Sequence, residues 1–306
     1  MMGPGGPRAP RRITPFATPT FAAGADHFPL TQHGIVALVQ AALEEDRAFE
    51  DVTTIATVLS TRRARARLVA REPGIVAGIP LALAAFHLLD PGIEIRVDAE
   101  DGSRVERGST LLFLSGHARG LLSAERTALN FLQRLSGTST LTRRFVDAVR
   151  GTGAAIVDTR KTTPGWRRLE KYAVRCGGGA NHRGDLASAV LIKDNHLAAV
   201  DGDVAEAMRR VREHAPAGTP VQVECETCVQ VRSAVEAGAE SVLLDNMSLE
   251  QLRESVEIAK GRCVTEASGG VRLDTVRAIA EVRVARISVG ALTHSAPALN
   301  LALDFE

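Results

Sequence analysis

The segment Val221–Asn246 reads VQVECETCVQVRSAVEAGAESVLLDN, and its reading decides the fold. An apolar run, Val221–Val223, ends in Glu224. A helix-periodic stretch, Val229–Ala237, follows, and a second apolar run, Val242–Leu244, ends in Asp245-Asn246. Two such runs with no hairpin signal between them predict parallel strands joined by a helical crossover.

The same rhythm extends in both directions. Ala154–Val157 precedes Asp158-Thr159-Arg160-Lys161, and Ala189–Ile192 precedes Lys193-Asp194-Asn195-His196. Val264 leads into Glu266-Ala267-Ser268-Gly269-Gly270, and Ile287–Val289 into Gly290. Val204–Val211, Leu249–Ala259 and Leu273–Ala280 supply further helical periods. In a barrel of such units the C-terminal strand ends share one mouth, where the chemistry lies. Here those ends carry Arg160, Lys161, Lys193, Glu224, Asp245, Ser268 and Gly290, a succession of charges that a barrel does not need for folding.

At 306 residues the chain is long enough for two domains or for one barrel with an addition. It has four lysines against 33 arginines, and Lys161, Lys171 and Lys193 fall within 33 residues of one another. A chain that otherwise uses Arg keeps Lys where a compact point charge is needed. Net charge is +1, so no global field favours nucleic acid or an anionic membrane. Four irregularly spaced cysteines predict a reducing cytosol, hence a cytoplasmic protein. Cys225-Glu-Thr-Cys228 has no second pair and reads as structural. Residues 1–25 lack an apolar core and read as a disordered Pro/Gly/Arg extension rather than a signal peptide. The apolar run Ile75–Leu89 is interrupted by Gly78, Pro80 and His87, too short and broken to span a bilayer.

Residues 26–136 mix helix and short strands and predict an α/β sandwich domain with a connecting helix. The barrel domain then occupies 137–306, its extreme C-terminus returning to the sandwich. Ile35–Leu43 reads as helix, and Ala64–Ala70 and Glu94–Val97 as strands; Leu111–Leu114 follows the turn-rich Asp101–Gly108. That segment is locally similar to biotinyl- and lipoyl-type sandwiches, yet no Lys precedes Lys161, which excludes a carrier role. Ser123–Arg150 is helical, with Ala128, Leu132 and Leu135 on one side and Arg126, Asn130 and Arg134 on another. Gly137 is expected to break it into two helices. Arg167, Arg168 and Lys171 are expected on a solvated helix face.

The mouth gathers Arg160, Lys161, His182, Arg183 and Lys193. Arg suits the forked recognition of carboxylates, and Lys suits phosphate oxygens. Glu224 and Asp245, on successive strands, suit Mg²⁺ held alongside substrate phosphates. Ser268-Gly269-Gly270 and Gly290-Ala291-Leu292 follow the last two strands, where backbone N–H groups bind phosphate. The expected ligands are a carboxylated molecule and a phosphorylated one with magnesium. His196 and His294 read equally as site residues or as cap and core histidines.

Several blocks then match a family in order over residues 30–306. They run from Glu45-Asp46 through Asp51-Val52-Thr53-Thr54, Glu125–Asn130 and Asp158–Thr162 to Gly177–Arg183 and Ile192–His196. Glu224–Thr227, Leu244–Asn246, Glu266–Gly270 and Val289–His294 complete the set. The chain resembles the quinolinate phosphoribosyltransferases. The resemblance implies an incomplete, seven-stranded α/β barrel with an N-terminal α/β sandwich. It implies a homodimer in which Arg126 reaches the partner's site, and phosphoribosyl transfer from phosphoribosyl pyrophosphate to quinolinate with decarboxylation. It makes Lys161, Lys193, Glu224 and Asp245 catalytic, with Mg²⁺ at Glu224 and Asp245. Arg126, Arg160, His182, Arg183 and Lys193 would grip the carboxylates, while Ser268, Gly269, Gly270, Gly290 and His294 would hold phosphates. Glu50, Trp166 and Cys225 depart from the usual pattern without removing a catalytic group. The alternatives are a same-fold paralogue with another acceptor and a Schiff-base aldolase barrel using Lys161 or Lys193.

Overall fold

The computed structural model describes residues 12–13 and 28–306. The expected disordered extension, residues 1–25, lies outside them apart from the strand Arg12–Ile13. The chain divides into two compact units: the described residues up to Thr140 with Pro297–Glu306, and Leu141–Ala296.

The first unit contains, in chain order, β1 (Arg12–Ile13), α1 (Gln32–Glu45), α2 (Val52–Thr57), β2 (Arg63–Ala70), β3 (Gly74–Ile75) and α3 (Ile79–Leu89). They are followed by β4 (Glu94–Val97), β5 (Arg104–Val105), β6 (Thr110–His117) and α4 (Ala118–Ala148), whose last residues enter the second unit. An antiparallel sheet runs β1-β4-β6-β2 and ends on the C-terminal strand Leu301–Phe305; β3 and β5 form a separate ribbon. Strand β2 shows why the register holds. Ala66 and Leu68 are fully buried while Arg63 and Arg65 face solvent, so a one-residue slip would exchange the two sets. The apolar run that could not span a membrane ends β3 at Ile75 and then forms α3, apolar nearly all round and buried, with Leu81 and Phe86 at 0% exposure.

Helix α4 buries Ala128, Leu132 and Leu135 and exposes Arg126 and Asn130, as its periodicity predicts. It does not break at Gly137. A Cβ there would stand 2.0 Å from the Pro297 carbonyl oxygen, so the glycine admits a crossing backbone instead of ending the helix.

The second unit contains six parallel strands in the order β7-β12-β11-β10-β9-β8. These are β7 (Ala155–Val157), β8 (Val190–Ile192), β9 (Val221–Cys225), β10 (Ser241–Asp245), β11 (Val264–Ser268) and β12 (Arg286–Ser288). Strand β12 closes back onto β7, giving a barrel-like sheet that stays open at β8. Beyond β7, the seventh position is reduced to a single parallel bridge, Val157↔Ala180. The preceding Gly177-Gly178-Gly179 includes a residue at φ +88° and cannot sustain a longer ladder.

Helices α5 (Arg167–Cys176), α6 (Asp194–Ala198), α7 (Val204–His214), α8 (Cys228–Glu236), α9 (Leu249–Ala259), α10 (Val276–Glu281) and α11 (Ala291–His294) link the strands. Their starts are chemically defined. Asp203, Thr227 and Ser248 accept a bond from the third residue on, and Gln230 and Gln251 complete capping boxes. Each such cap contributes about 0.5–2 kcal/mol. One face of the sheet carries Val221, Val223, Cys225, Val242, Leu244, Ala267 and Ile287 in a single core with Val231, Leu252, Val276 and Leu292 of the helices. Cys225 is fully buried in that core, and burial pushes its thiol up to about 12. It is a small hydrophobe there, as the unpaired Cys225–Cys228 motif suggested. Among the described residues no helix is long and apolar enough to cross a membrane.

Candidate active site

Strands alternate, so the residues between those core positions point to the opposite face. Parallel register aligns Gln222 with Leu191 and Glu224 with Leu243; Leu243 in turn faces Glu266, and Asp245 faces Ser268. Gln222, Glu224, Asp245, Glu266 and Ser268 therefore share one face. A barrel interior is normally filled by branched apolar side chains. This one is polar, with Glu266 at 0% and Gln222 at 6% exposure. Sequence reading found Glu224, Asp245 and Ser268 but missed Gln222 and Glu266. The period-two alternation of Val221, Val223 and Cys225 with Gln222 and Glu224 was the available signal.

The strand ends bring the expected residues onto one rim. Lys193, directly after β8, donates to Glu224 Oε2 at 2.6 Å. Asp245 accepts from the Asn246 side chain at 2.7 Å, and the Asn246 N–H bonds to the Ser268 carbonyl at 3.0 Å. Gly269, at φ +93°, lies so close that a Cβ would meet Asn246 Oδ1 at 2.2 Å. A side chain at Gly290 would similarly touch His294 Nε2 at 3.1 Å and Lys161 Cδ at 3.2 Å, which places these three together. Thr293 secures the arrangement by donating to the Lys161 carbonyl at 2.6 Å. Gly270 follows at φ +56° and is exposed. His196 takes the cap role: its Nδ1 accepts the Lys193 N–H at 3.0 Å.

His182 has a defined tautomer. Its Nδ1 accepts the Arg183 N–H at 2.8 Å, so the proton sits on Nε2, which donates to Gln222 Oε1 at 2.9 Å. Gln222 passes its own N–H to Glu266 Oε2 at 3.2 Å. The other Glu266 oxygen lies 3.4 Å from His182 Nε2 but makes no well-aligned hydrogen bond, so the Gln222 contact is the one that orients the ring. Arg160 Nε is buried with no hydrogen-bond partner among the described residues. Burial, and then the neighbouring Arg160 guanidinium, lowers the pKa of Arg183 against the pull of Asp185. Two guanidinium groups held near each other, one with an unused buried donor, concentrate positive charge suited to an anion.

Lys171 is the clearest departure from expectation. It is not on a solvated face: it is 6% exposed, bonded to the Asp158 carboxylate and, at 2.9 Å, to the His182 carbonyl. Arg167 is likewise drawn inward, bonding Thr162 Oγ1 at 3.1 Å and the Gly184 carbonyl at 3.2 Å. Arg168 alone of the three remains exposed. Among the described residues no three His, Cys, Asp or Glu side chains converge as an all-protein metal cage.

Arg126 belongs to the other unit. It lines a cavity of about 470 Å³ with Asp46, Arg47, Glu50, Asp51 and Ser123. Asp51 caps α2 there and accepts from Ser123 at 3.0 Å.

An open α/β barrel whose mouth gathers guanidinium, ammonium and imidazole groups around two carboxylates defines an enzyme of highly anionic substrates. The family models of the quinolinate phosphoribosyl transferase N-terminal domain and C-terminal domain match residues 51–136 and 138–304, respectively. The chain belongs to the quinolinate phosphoribosyltransferase family. It is 44% identical to a nicotinate-nucleotide pyrophosphorylase (carboxylating) of Mycobacterium leprae over 87% of this chain and 95% of the relative. It is 40% identical to a probable enzyme of that name from Bacillus subtilis, covering 85% of this chain and 89% of the other. The solved nicotinate-nucleotide pyrophosphorylase of Francisella tularensis superposes with a TM-score of 0.85 at 37% identity, over 92% of this chain and all of that one (100%).

Proposed function

We propose that the chain transfers the phosphoribosyl group of phosphoribosyl pyrophosphate to the ring nitrogen of quinolinate. Pyrophosphate and CO₂ leave, and nicotinate mononucleotide is formed. The observation that carries this reading is the Arg160–Arg183 pair of neighbouring guanidinium groups, with His182 held against the Arg183 N–H, which suits an acceptor with two adjacent carboxylates.

The residues divide the work. Arg160, His182, Arg183 and Lys193 grip the pyridine dicarboxylate and aim its nitrogen at the anomeric carbon. Lys161, His294 and the Ser268–Gly270 and Gly290 backbones hold the phosphates, which concentrates positive charge where the departing pyrophosphate gains negative charge. Glu224 and Asp245 face the developing positive charge on the ribose. They also fit Mg²⁺, which binds through one or two carboxylates, water and substrate phosphates, and supplies Lewis acidity on phosphate oxygens. After the nitrogen is quaternised, its positive charge stabilises the electron pair left on the adjacent ring carbon when the carboxylate departs as CO₂. That carbon takes a proton from solvent to give nicotinate mononucleotide. The protein positions reactants and neutralises charge, and orientation alone accounts for about 7–11 kcal/mol in favourable systems.

The proposed assembly is a homodimer in which Arg126 serves the barrel of the second copy. Phe49, Val52, Ile55 and Leu59, all 50% or more exposed within one short stretch of chain whose Val52 lines the Arg126 cavity, support it. A reducing cytosol is the proposed setting, supported by four free thiols. Initial rates with quinolinate and with nicotinate test the acceptor. Quinolinate should be preferred by at least about 10²-fold in kcat/KM, since a monocarboxylate leaves buried cations unpaired. Equal or better use of nicotinate would overturn the assignment.

A further inference from the structure

The polar side of α5 is assigned no substrate contact of its own, yet it holds the two loops that carry Arg160, His182 and Arg183. Lys171 is nearly as buried as the core, and its ammonium bridges the Asp158 carboxylate and the His182 carbonyl oxygen. Asp158, itself at 0% exposure, uses its remaining capacity on the same segment. Its Oδ1 accepts the His182 N–H at 2.9 Å and its Oδ2 accepts the Asn181 side-chain amide, which also bonds the Lys171 carbonyl at 2.9 Å. Both the N–H and the C=O of His182 are thus fixed by one buried ion pair. The ring is then fixed by Gln222 on one side and the Arg183 N–H on the other.

A buried ion pair is weak evidence for stability, because desolvating two charges offsets most of their attraction. Burial raises the pKa of the Asp158 carboxyl despite Lys171 and the amide donors, which shows that this cost is present. An apolar pair would fill the same space without it. What an apolar pair lacks is the directional hold on the His182 peptide. Asp158 also sits two residues before Arg160, at the end of β7, so the pair links the strand that presents Arg160 to the loop that presents His182 and Arg183.

We propose that Asp158 and Lys171, with Asn181, are positioning residues that set His182 and Arg183 at the spacing that recognises the acceptor's two carboxylates. The role rests on the acceptor reading given above. It concerns the acceptor alone, because the phosphate-holding groups at Lys161, Gly290 and His294 are secured separately through Thr293.

The test is steady-state kinetics on the full-length protein with both substrates varied, beside equilibrium binding of quinolinate by calorimetry. Asp158→Asn/Lys171→Met removes both charges together, so no orphaned buried charge remains. It should raise the quinolinate KM and dissociation constant at least about tenfold, with the phosphoribosyl pyrophosphate KM within about twofold of wild type. Asn181→Ala, at an exposed residue, loosens the same clamp and should raise the quinolinate KM about threefold or more. It decides the matter if the double variant does not fold. Unchanged quinolinate binding in a folded variant, or equal losses for both substrates, would overturn the positioning role. Absence of any wild-type turnover of quinolinate would instead sink the acceptor reading and this inference with it.

Discussion

Lys193 and Glu224 form a contact of 2.6 Å between the ends of neighbouring strands, one cation and one carboxylate of the rim already engaged with each other. The pair keeps Glu224, at 12% side-chain exposure, neutralised while leaving Lys193 accessible from the mouth. Glu224→Gln and Lys193→Met should each lower kcat/KM by about 10²–10³, the scale of losing one preorganised electrostatic contact. The double variant should lose less than the product of the two, because each single change strands the other's charge. Strict multiplicativity of the two effects would show that the contact plays no part in turnover.

Arg126 gives a test of the shared site. Arg126→Ala and Lys161→Ala should each be nearly inactive, with melting temperatures close to wild type. Mixed under conditions that exchange subunits, they should recover up to about one intact site in four by random reassortment. No recovery in verified mixed dimers would place Arg126 outside the partner's site.

The glycine in the middle of α4 makes a stability prediction. Gly137→Ala introduces a methyl group at 2.0 Å from a backbone oxygen, although alanine is the better helix former. Overpacking should therefore prevail, with a loss of about 1–3 kcal/mol read as a lower denaturant midpoint. A stabilised variant would show that Gly137 does not serve the Pro297 approach.

Acid sensitivity has one identifiable source in α3. Burial holds the His87 imidazole below its ordinary value of 6.5, against its 3.3 Å contact with the Ile93 carbonyl and the nearby Asp90. The folded state thus binds this proton less readily than the unfolded chain. The resulting stability is complete above that ordinary value and is lost as pH falls below it towards the depressed folded one. Melting temperature should decline less between pH 7 and pH 5 in His87→Gln than in wild type, and parallel curves would contradict the assignment.

Much of the barrel was legible because its strands are short apolar runs that end in charge, and each C-terminal end is a rim position. The acidic, serine and glycine ends at Glu224, Asp245, Ser268 and Gly290 appear where that pattern puts them. Lys171 was not legible. Helical periodicity shows which residues share a face, but its burial depends on Asp158, at the end of a different element. Gly137 misled for a related reason, since local propensity treats glycine as a helix stop and cannot see Pro297 arriving from the C-terminal end of the chain. The polar interior is signalled only by the alternation around Gln222; Glu266, between Thr265 and Ala267, has no such flanking pattern.

The most direct measurement follows the carboxylate itself. Quinolinate labelled in the 2-carboxyl group is incubated with phosphoribosyl pyrophosphate and Mg²⁺, and labelled CO₂, pyrophosphate and mononucleotide are counted together. Equal amounts of all three are expected, with loss of all three in Arg160→Ala and on chelation of the metal. Mononucleotide formed with the label retained, or no pyrophosphate released at all, would contradict a site built for a dicarboxylate beside a sugar diphosphate.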